Sequence, residues 1–450
     1  MYLWRVKIGE YIPFYKRNLN LAMPVVLSQI GQVLVTLVDN IMVGHAGTVD
    51  LAASAFANNV FLIGMFFGMG VTYGLTPMVG KAYGNNRMNE VVLWLKNGMS
   101  IHFIAAIILT LIMFGVWFFL PLMGQTESVT ELAKPYYLLL CFSYLPFMMF
   151  FSLKQFFEGV GNTKMAMQIT LMANAINVVL NYVLIFGKLG FPAYGLVGAG
   201  IGTLISRIFM PLMFMVFILR YARFKRFFVL ARLQVIEKVR MLALLKIGVP
   251  IGFQIIVEVI TFSIGAVMMG WLGETELAAH QVAIGLAGFT YMISLGISQA
   301  TTIRISHQLG KHNFESLRMA AMASTHLVLT FMTVMGLVFV FGRDLLPVLF
   351  TEDREVIALA SNLLIVAAIF QVFDGLQVIM LSTLRGMADV KIPMMMAFIA
   401  YLFIGVPTSY VLTFNLNAGP AGIWYGYLAG LGSAGIMFYF KFKRNLARLN

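Results

Sequence analysis

Three carboxyl groups lie where carboxyl groups are energetically costly. Asp39, Glu258 and Asp374 each fall well inside a long apolar stretch, whereas the other acidic residues lie in loops or near helix ends. Placing one charge at the centre of a bilayer costs at least about 2.5–3.5 kcal/mol, so such residues usually face a protein interior and mark an ion or substrate path. A carboxyl group in a low-dielectric interior favours its neutral form. It can therefore hold a proton and exchange it for sodium or a cationic ligand, which is the chemistry of an antiporter.

Polar side chains accompany each carboxyl group at helical spacing. Residues three, four or seven positions apart share one face of a helix. The residues that share a face with one of the three acids are Gln32, Thr36, Gln254, Thr261, Gln371 and Gln377. Asn174, Asn177 and Asn181 form a further stripe. Carboxylate and amide oxygens suit a hard monovalent cation or a proton rather than a transition metal. The alternative is that the amides only tie helices together through buried hydrogen bonds.

The elements that carry these residues are membrane helices. The chain of 450 residues is 60% hydrophobic and 11% charged, against roughly 45–50% and about 25% in soluble proteins. Its one cysteine, Cys141, excludes a disulfide framework. Helices that cross a bilayer need about 20 apolar residues, and no segment alternates as the strands of a membrane β-barrel do. We predict an all-α integral membrane protein with twelve spans at 21–44, 52–79, 97–122, 135–157, 165–187, 195–219, 247–272, 277–303, 319–342, 356–384, 392–414 and 420–440.

The basic residues predict the orientation of the spans. Of the 31 lysines and arginines behind the net charge of +13, only Lys134, Lys188, Arg343 and Arg354 fall opposite the side that holds both termini. Loops rich in basic residues stay in the cytoplasm, so we expect both termini in the cytoplasm. We expect the protein itself to lie in the cell (inner) membrane. The charge thus indicates topology, and we expect no nucleic-acid partner. Arg207 lies inside a span near its cytoplasmic end, where its side chain is expected to snorkel to the membrane surface.

The two halves of the chain resemble one another. Residues 24–84 align with 250–310 without a gap at a constant offset of 226, so that Pro24 meets Pro250 and Gly70 meets Gly296. Six helices in each half place both halves in the same orientation, as parallel repeats. We therefore predict two pseudo-symmetric six-helix lobes. The N-lobe covers 1–220 (helices 1–6), a basic cytoplasmic linker covers 221–246, and the C-lobe covers 247–450 (helices 7–12).

With these buried acids and repeated halves, the chain resembles the multidrug and toxic compound extrusion (MATE) family, in its NorM-type branch. The resemblance covers nearly the whole chain. It rests on the helix-1 sequence Val38-Asp-Asn-Ile-Met-Val-Gly44, on Glu258, on Gln371-Val-Phe-Asp374 and on Leu384-Arg-Gly386. It implies a MATE-like fold and export of cationic, amphipathic, often aromatic compounds by alternating access, coupled to entry of Na⁺ or H⁺. It implies no cofactor, only Na⁺ or H⁺ as the coupling ion.

The resemblance also implies which residues bind the coupling ion. Asp39 with Asn177 and Asn181 would form an N-lobe cation site, and Glu258 with Asp374 would form a C-lobe site, where Na⁺ would bind if it is the ion. Some sodium-coupled relatives place a tyrosine one turn before the helix-10 acid. This chain has Phe370 there, which could make a cation–π contact but offers no hydroxyl ligand. Phe370 and the glutamines and threonines above are the candidates for lining the substrate cavity.

Other classes of protein fit the sequence less well. A flippase of lipid-linked precursors is the alternative within transporters, but it predicts a cationic cavity, whereas this interior is expected to be acidic. A duplicated scaffold that transports nothing would not need buried charges. A membrane enzyme would need a nucleophile–base set or a metal motif inside the spans, and the sequence has neither. It also has no phosphate-binding loop of the type that would couple transport to ATP. We expect a monomer that contacts membrane lipid and small organic substrates.

Overall fold

The computed structural model describes residues 8–449 and shows a helical protein. Arg5 and Lys7, which contribute to the predicted cytoplasmic charge, lie outside the described residues. The helices, numbered in chain order, are α1 (Ile8–Ala46), α2 (Thr48–Tyr73), α3 (Leu75–Gly84), α4 (Met88–Trp117), α5 (Glu127–Gly159), α6 (Thr163–Phe186), α7 (Gly195–Arg220), α8 (Ala222–Leu233), α9 (Lys238–Leu272), α10 (Glu274–Gly310), α11 (Phe314–Phe341), α12 (Arg354–Gly386), α13 (Lys391–Phe398), α14 (Val406–Tyr410) and α15 (Pro420–Ala447).

Eleven helical segments of the described chain are long and apolar enough to cross a membrane. Two of them join consecutive helices: Thr48–Gly84 contains α2 and α3, and Lys391–Asn415 contains α13 and α14, with one π-helical segment between these two helices and another after α14. The predicted twelfth span lies in α15, which is helical over 28 residues. Glycines and tyrosines lower its hydropathy, so it falls outside the apolar set although it packs extensively against α12.

The chain forms two compact units. One contains Leu27–Gly252, and the other contains Phe253–Asn450 together with the chain up to Val26. The boundaries therefore fall inside α1 and α9, which are continuous helices of 39 and 35 residues. The predicted lobes follow chain order instead, with a change of lobe at 221–246. The difference arises because each of these long helices contributes its first part to one unit and the remainder to the other.

Close helix crossings repeat at the predicted offset of 226. In the unit that contains α2, a Cβ atom on Gly70 would lie 2.4 Å from the Cα atom of Gly252. In the other unit, a Cβ atom on Gly296 would lie 2.9 Å from the Cα atom of Val26. Both distances are too short for a real Cβ contact, so glycine is required where α2 meets α9 and where α10 meets α1. The duplication is thus present in the packing as well as in the sequence.

The turns that precede α4, α6, α11 and α13 also repeat between the halves. Asn86 and His312, which are 226 positions apart, both adopt a left-handed backbone with φ of 57° and 54°. Gly161 and Ala388 do so at equivalent positions of the later turn, with φ of 84° and 58°. The two halves therefore share the same backbone conformation in these turns.

The predicted linker is largely helical. Its centre is α8, a helix of 12 residues whose Phe227 and Ala231 are buried, while Lys225 and Arg226 are exposed. The helix that contains the predicted seventh span, α9, begins at Lys238, before the predicted start at 247.

Candidate functional site

The carboxyl group of Asp39 is held by two amides from α6. Asn181 donates from Nδ2 to Asp39 Oδ1 at 2.7 Å. The Asn177 amide satisfies its partners best with its nitrogen toward Asp39, where it donates to Oδ1 at 3.0 Å and to Oδ2 at 3.2 Å. Both asparagines are buried, whereas Asp39 is partly exposed. The structure therefore brings together the three residues predicted for the N-lobe site, with amide nitrogens rather than amide oxygens facing the acid.

The other polar residues predicted near Asp39 are less directly engaged. Thr36 is exposed and donates to the backbone carbonyl of Gln32 at 2.9 Å, within its own helix. Gln32 is partly exposed. Asn174 has a buried amide nitrogen for which the described residues supply no hydrogen-bond partner. The role of Gln32 and Thr36 in lining a substrate cavity stays a prediction.

Arg207 does not extend toward the end of its helix, as the sequence suggested. Its guanidinium donates from Nη1 to Ser143 Oγ at 2.7 Å. It also lies 4.9 Å from the ring centroid of Phe147 and 5.2 Å from that of Phe61. From there it is within electrostatic range of Asp39. The expectation of snorkelling was wrong because α5 and α2 supply a hydroxyl and two aromatic faces that hold the cation inside the helix bundle of this unit.

Glu258 on α9 and Asp374 on α12 lie in the same unit and interact electrostatically. Glu258 is partly exposed, while Asp374 is 5% exposed. The Tyr291 hydroxyl on α10 hydrogen-bonds to the Glu258 carboxyl group, and Tyr401 lies within electrostatic range of both acids. The structure thus brings together the predicted acidic pair and adds two tyrosines that the sequence pattern did not single out.

The polar side chains predicted to accompany this pair are buried and take part in hydrogen bonds. Gln377 donates from Nε2 to the Tyr401 hydroxyl at 2.5 Å. Gln371 accepts from the Thr290 hydroxyl at 3.0 Å. Thr261 donates to the carbonyl of Val257 in its own helix at 2.8 Å. Burial of these side chains is the arrangement expected if amides tie helices together, and their contact with a substrate stays a prediction.

Phe370 belongs to an aromatic cluster in the same unit. Its ring centroid lies 5.3 Å from that of Trp424, 6.3 Å from that of Tyr427 and 6.4 Å from that of Phe262. The side chain is 2% exposed. Packing of this kind stabilises the contact of α12 with α15.

Arg385, in the Leu384-Arg-Gly386 sequence, also lies near an acid of this unit. In the structure it lies in the last turn of α12 and donates from Nη2 to Gln254 Oε1 at 3.2 Å. Gln254 precedes Glu258 by one helical turn, and Arg385 interacts electrostatically with Glu258. A long arginine side chain can reach back over the preceding helical turns, which brings the Arg385 head group near this acid.

Both halves of the chain match the same family of known proteins. The MatE family model matches residues 24–183 and 250–411, one match in each half of the chain. A NorM protein of Xylella fastidiosa (strain 9a5c) is 32% identical over 426 residues, covering 95% of this chain and 91% of that protein. The multidrug resistance protein NorM of Vibrio vulnificus (strain YJ016) is 31% identical over 423 residues, covering 93% of each chain.

Solved structures show the same fold at lower sequence identity. The Vibrio cholerae MATE transporter VcmN superposes with a TM-score of 0.87 at 18% identity, covering 98% of this chain and 99% of that one. The eukaryotic MATE transporter AtDTX14 gives a TM-score of 0.85 at 20% identity, with 98% of both chains covered. The predicted twelve-helix, two-lobe MATE-like fold is therefore confirmed, and the chain is a multi-pass membrane protein. Together these matches show that the chain belongs to the MATE family of transporters and is not an enzyme.

Proposed function

We propose that this protein is a cation-coupled antiporter that exports cationic, amphipathic organic compounds. The observation that carries the proposal is that the three carboxyl groups predicted to bind cations lie among polar or ionisable groups of their own unit. Asp39 accepts from two amides, and Glu258 accepts from a tyrosine hydroxyl and lies near Asp374. Carboxyl groups facing lipid would have no such partners. The names of the NorM relatives support drugs as the exported compounds.

In the proposed mechanism, the carboxyl groups bind the coupling ion and alternate between the two sides of the membrane. Asp39 with Asn177 and Asn181 forms the N-lobe site, and Glu258 with Asp374 forms the C-lobe site. Inward movement of one cation down a potential of 100 mV supplies about 2.3 kcal/mol, which drives the exported compound outward. A site that binds the ion or the compound, but not both, links the two movements.

The coupling ion is Na⁺ or H⁺. The Tyr291 hydroxyl gives the C-lobe acids an oxygen ligand that Phe370 cannot provide, and this supports a site able to hold Na⁺ as well as a proton. At Asp39 the partners are amide nitrogens in this conformation, which stabilise an ionised carboxylate. Binding of Na⁺ there would require the amides to turn their oxygens inward.

The location and assembly of the protein complete the proposal. The surplus of basic residues on the side of both termini supports an inner membrane protein with cytoplasmic termini. We propose that it functions as a monomer in contact with lipid. The boundaries predicted for the N-lobe, the linker and the C-lobe remain the functional division that we propose.

A dye-accumulation assay tests this function. Cells that lack their own efflux pumps should accumulate less ethidium when they express the protein, and the difference should disappear when the ion gradients are collapsed. Equal accumulation with and without the protein, at confirmed membrane expression, would contradict the proposal.

A flippase of lipid-linked precursors is the second candidate, and one observation favours it. Arg207 lies within electrostatic range of Asp39, and Arg385 lies within electrostatic range of Glu258, so the surroundings of the acids are less acidic than the sequence implied. Pyrophosphate head groups require several cationic partners. The two functions differ in the assay, since a flippase would not change ethidium accumulation.

A further inference from the structure

A guanidinium group is built into the polar site around Asp39. Ser206 on α7 lies 3.5 Å from the Asn177 amide that contacts Asp39, and Arg207 is the next residue. The guanidinium of Arg207 donates to Ser143 and lies against the rings of Phe147 and Phe61. These contacts fix the cation on the α5 and α2 side of the site, while the amides hold the acid from the α6 side.

The charge at this position is permanent. A guanidinium stays protonated in proteins and is weakly hydrated, so aromatic faces and a single hydroxyl can retain it away from water. The guanidinium is engaged by Ser143 rather than by a direct ion pair with Asp39. The guanidinium therefore leaves the carboxylate accessible to another cation. It also reduces the attraction between the carboxylate and that other cation.

We propose that Arg207 is a specificity-determining residue that acts as a tethered cation, competing with the transported cation for the Asp39 carboxylate. With no ion or guest bound, Arg207 neutralises Asp39. A cationic guest then binds against the repulsion of the guanidinium, so only a guest that gains enough from other contacts is retained. The inference rests on the proposed role of Asp39 in binding cations.

A purely structural role for Arg207 predicts a different pattern. Loss of a packing residue would weaken binding of all guests, whatever their charge. Loss of a competing cation would strengthen binding of cationic guests alone, and more strongly while Asp39 can ionise. The charge dependence of affinity therefore separates the two roles.

The test measures binding of tetraphenylphosphonium, a permanently charged cation, to the purified full chain in lipid nanodiscs at alkaline pH. We expect Arg207→Gln to bind it about tenfold more tightly than the wild type, the scale expected from removing one nearby charge in a partly solvated site. Arg207→Lys, which keeps the charge, should stay close to the wild type. In the Asp39→Asn background, Arg207→Gln should give a smaller gain, because only the direct repulsion of the guest by the guanidinium is then removed.

Unchanged or weaker binding by folded Arg207→Gln would overturn the inference, and so would an equal gain in the Asp39→Asn background. Arg207→Met, whose apolar stem can pack against Phe61 and Phe147, carries the same prediction if the glutamine variant does not accumulate. Failure of both neutral variants to fold, with Arg207→Lys folded, would show a structural need for the charge and would also overturn it.

Failure of the proposed function gives a different result. If Asp39→Asn retains full transport, Asp39 does not couple transport and the function proposed above fails. If Asp39→Asn abolishes transport but Arg207→Gln shows no gain in affinity, only the inference about Arg207 fails.

Discussion

At the scale of single residues, the account depends on the three carboxyl groups. We predict that Asp39→Asn and Asp374→Asn each abolish drug efflux, since an amide can neither ionise nor exchange a cation. Both variants should remain folded in the membrane, because asparagine keeps the shape of aspartate. Efflux of ethidium from everted vesicles measures the effect. Glu127→Gln, at an exposed acid in the first turn of α5, is the control that should keep wild-type efflux.

The acids were predictable from the sequence, whereas their cationic neighbours were not. A carboxyl group inside an apolar span is costly when it faces lipid, so its position alone indicates an inward orientation. An arginine has a long flexible stem, and its head group can lie several ångströms from its own helix turn. Arg207 and Arg385 turn inward because Ser143 and Gln254 receive them. Such contacts depend on which helices pack together, and no local pattern encodes this.

At the scale of helices, the glycine crossings should be intolerant of any side chain. We predict that Gly296→Ala destabilises the protein by about 1–3 kcal/mol, because its Cβ atom would overlap the backbone of Val26. Gly288→Ala lies in the same helix, where a Cβ atom meets nothing within 4 Å, and should be neutral or slightly stabilising. Thermal unfolding of the two purified variants in one detergent compares them. Equal loss of stability would show that the close crossing does not explain the requirement for glycine.

A second helix contact depends on a buried polar network. Asn18 on α1 donates to Ser324 Oγ at 2.7 Å and to the carbonyl of Ala320 at 3.0 Å, and it accepts from Arg304 Nε at 3.2 Å. We predict that Asn18→Ala lowers the free energy of unfolding by about 1–3 kcal/mol, because Arg304 loses a buried partner. Asn20→Ala, at an exposed position of the same helix, should have little effect. Comparable melting temperatures for both variants would contradict this account of the network.

The helices themselves followed from composition, and the unit boundaries did not. Apolar length predicted the spans because backbone hydrogen bonds must be satisfied within each helix in lipid. The constant offset of 226 predicted the repeat, which the Gly70 and Gly296 crossings display. The change of unit within α1 and α9 leaves no mark on hydropathy. Both helices run unbroken through that point, so the exchange is determined by packing alone.

At the scale of the whole molecule, the distribution of basic residues predicts topology. We expect a reporter that fluoresces only in the cytoplasm to be active when fused after Asn450, and a reporter active only outside the cytoplasm to be active in the loop at Lys188. The reason is that basic loops resist translocation. The opposite pattern at both positions would reverse the assigned direction of export.

The most direct test of cation-coupled export uses purified protein in proteoliposomes, with Na⁺ and pH gradients imposed separately. The account predicts that at least one of these gradients drives uphill movement of tetraphenylphosphonium by the wild type, and that neither drives it in Asp39→Asn or Asp374→Asn. Gradient-driven transport of wild-type rate in both variants would contradict the central role of the carboxyl groups.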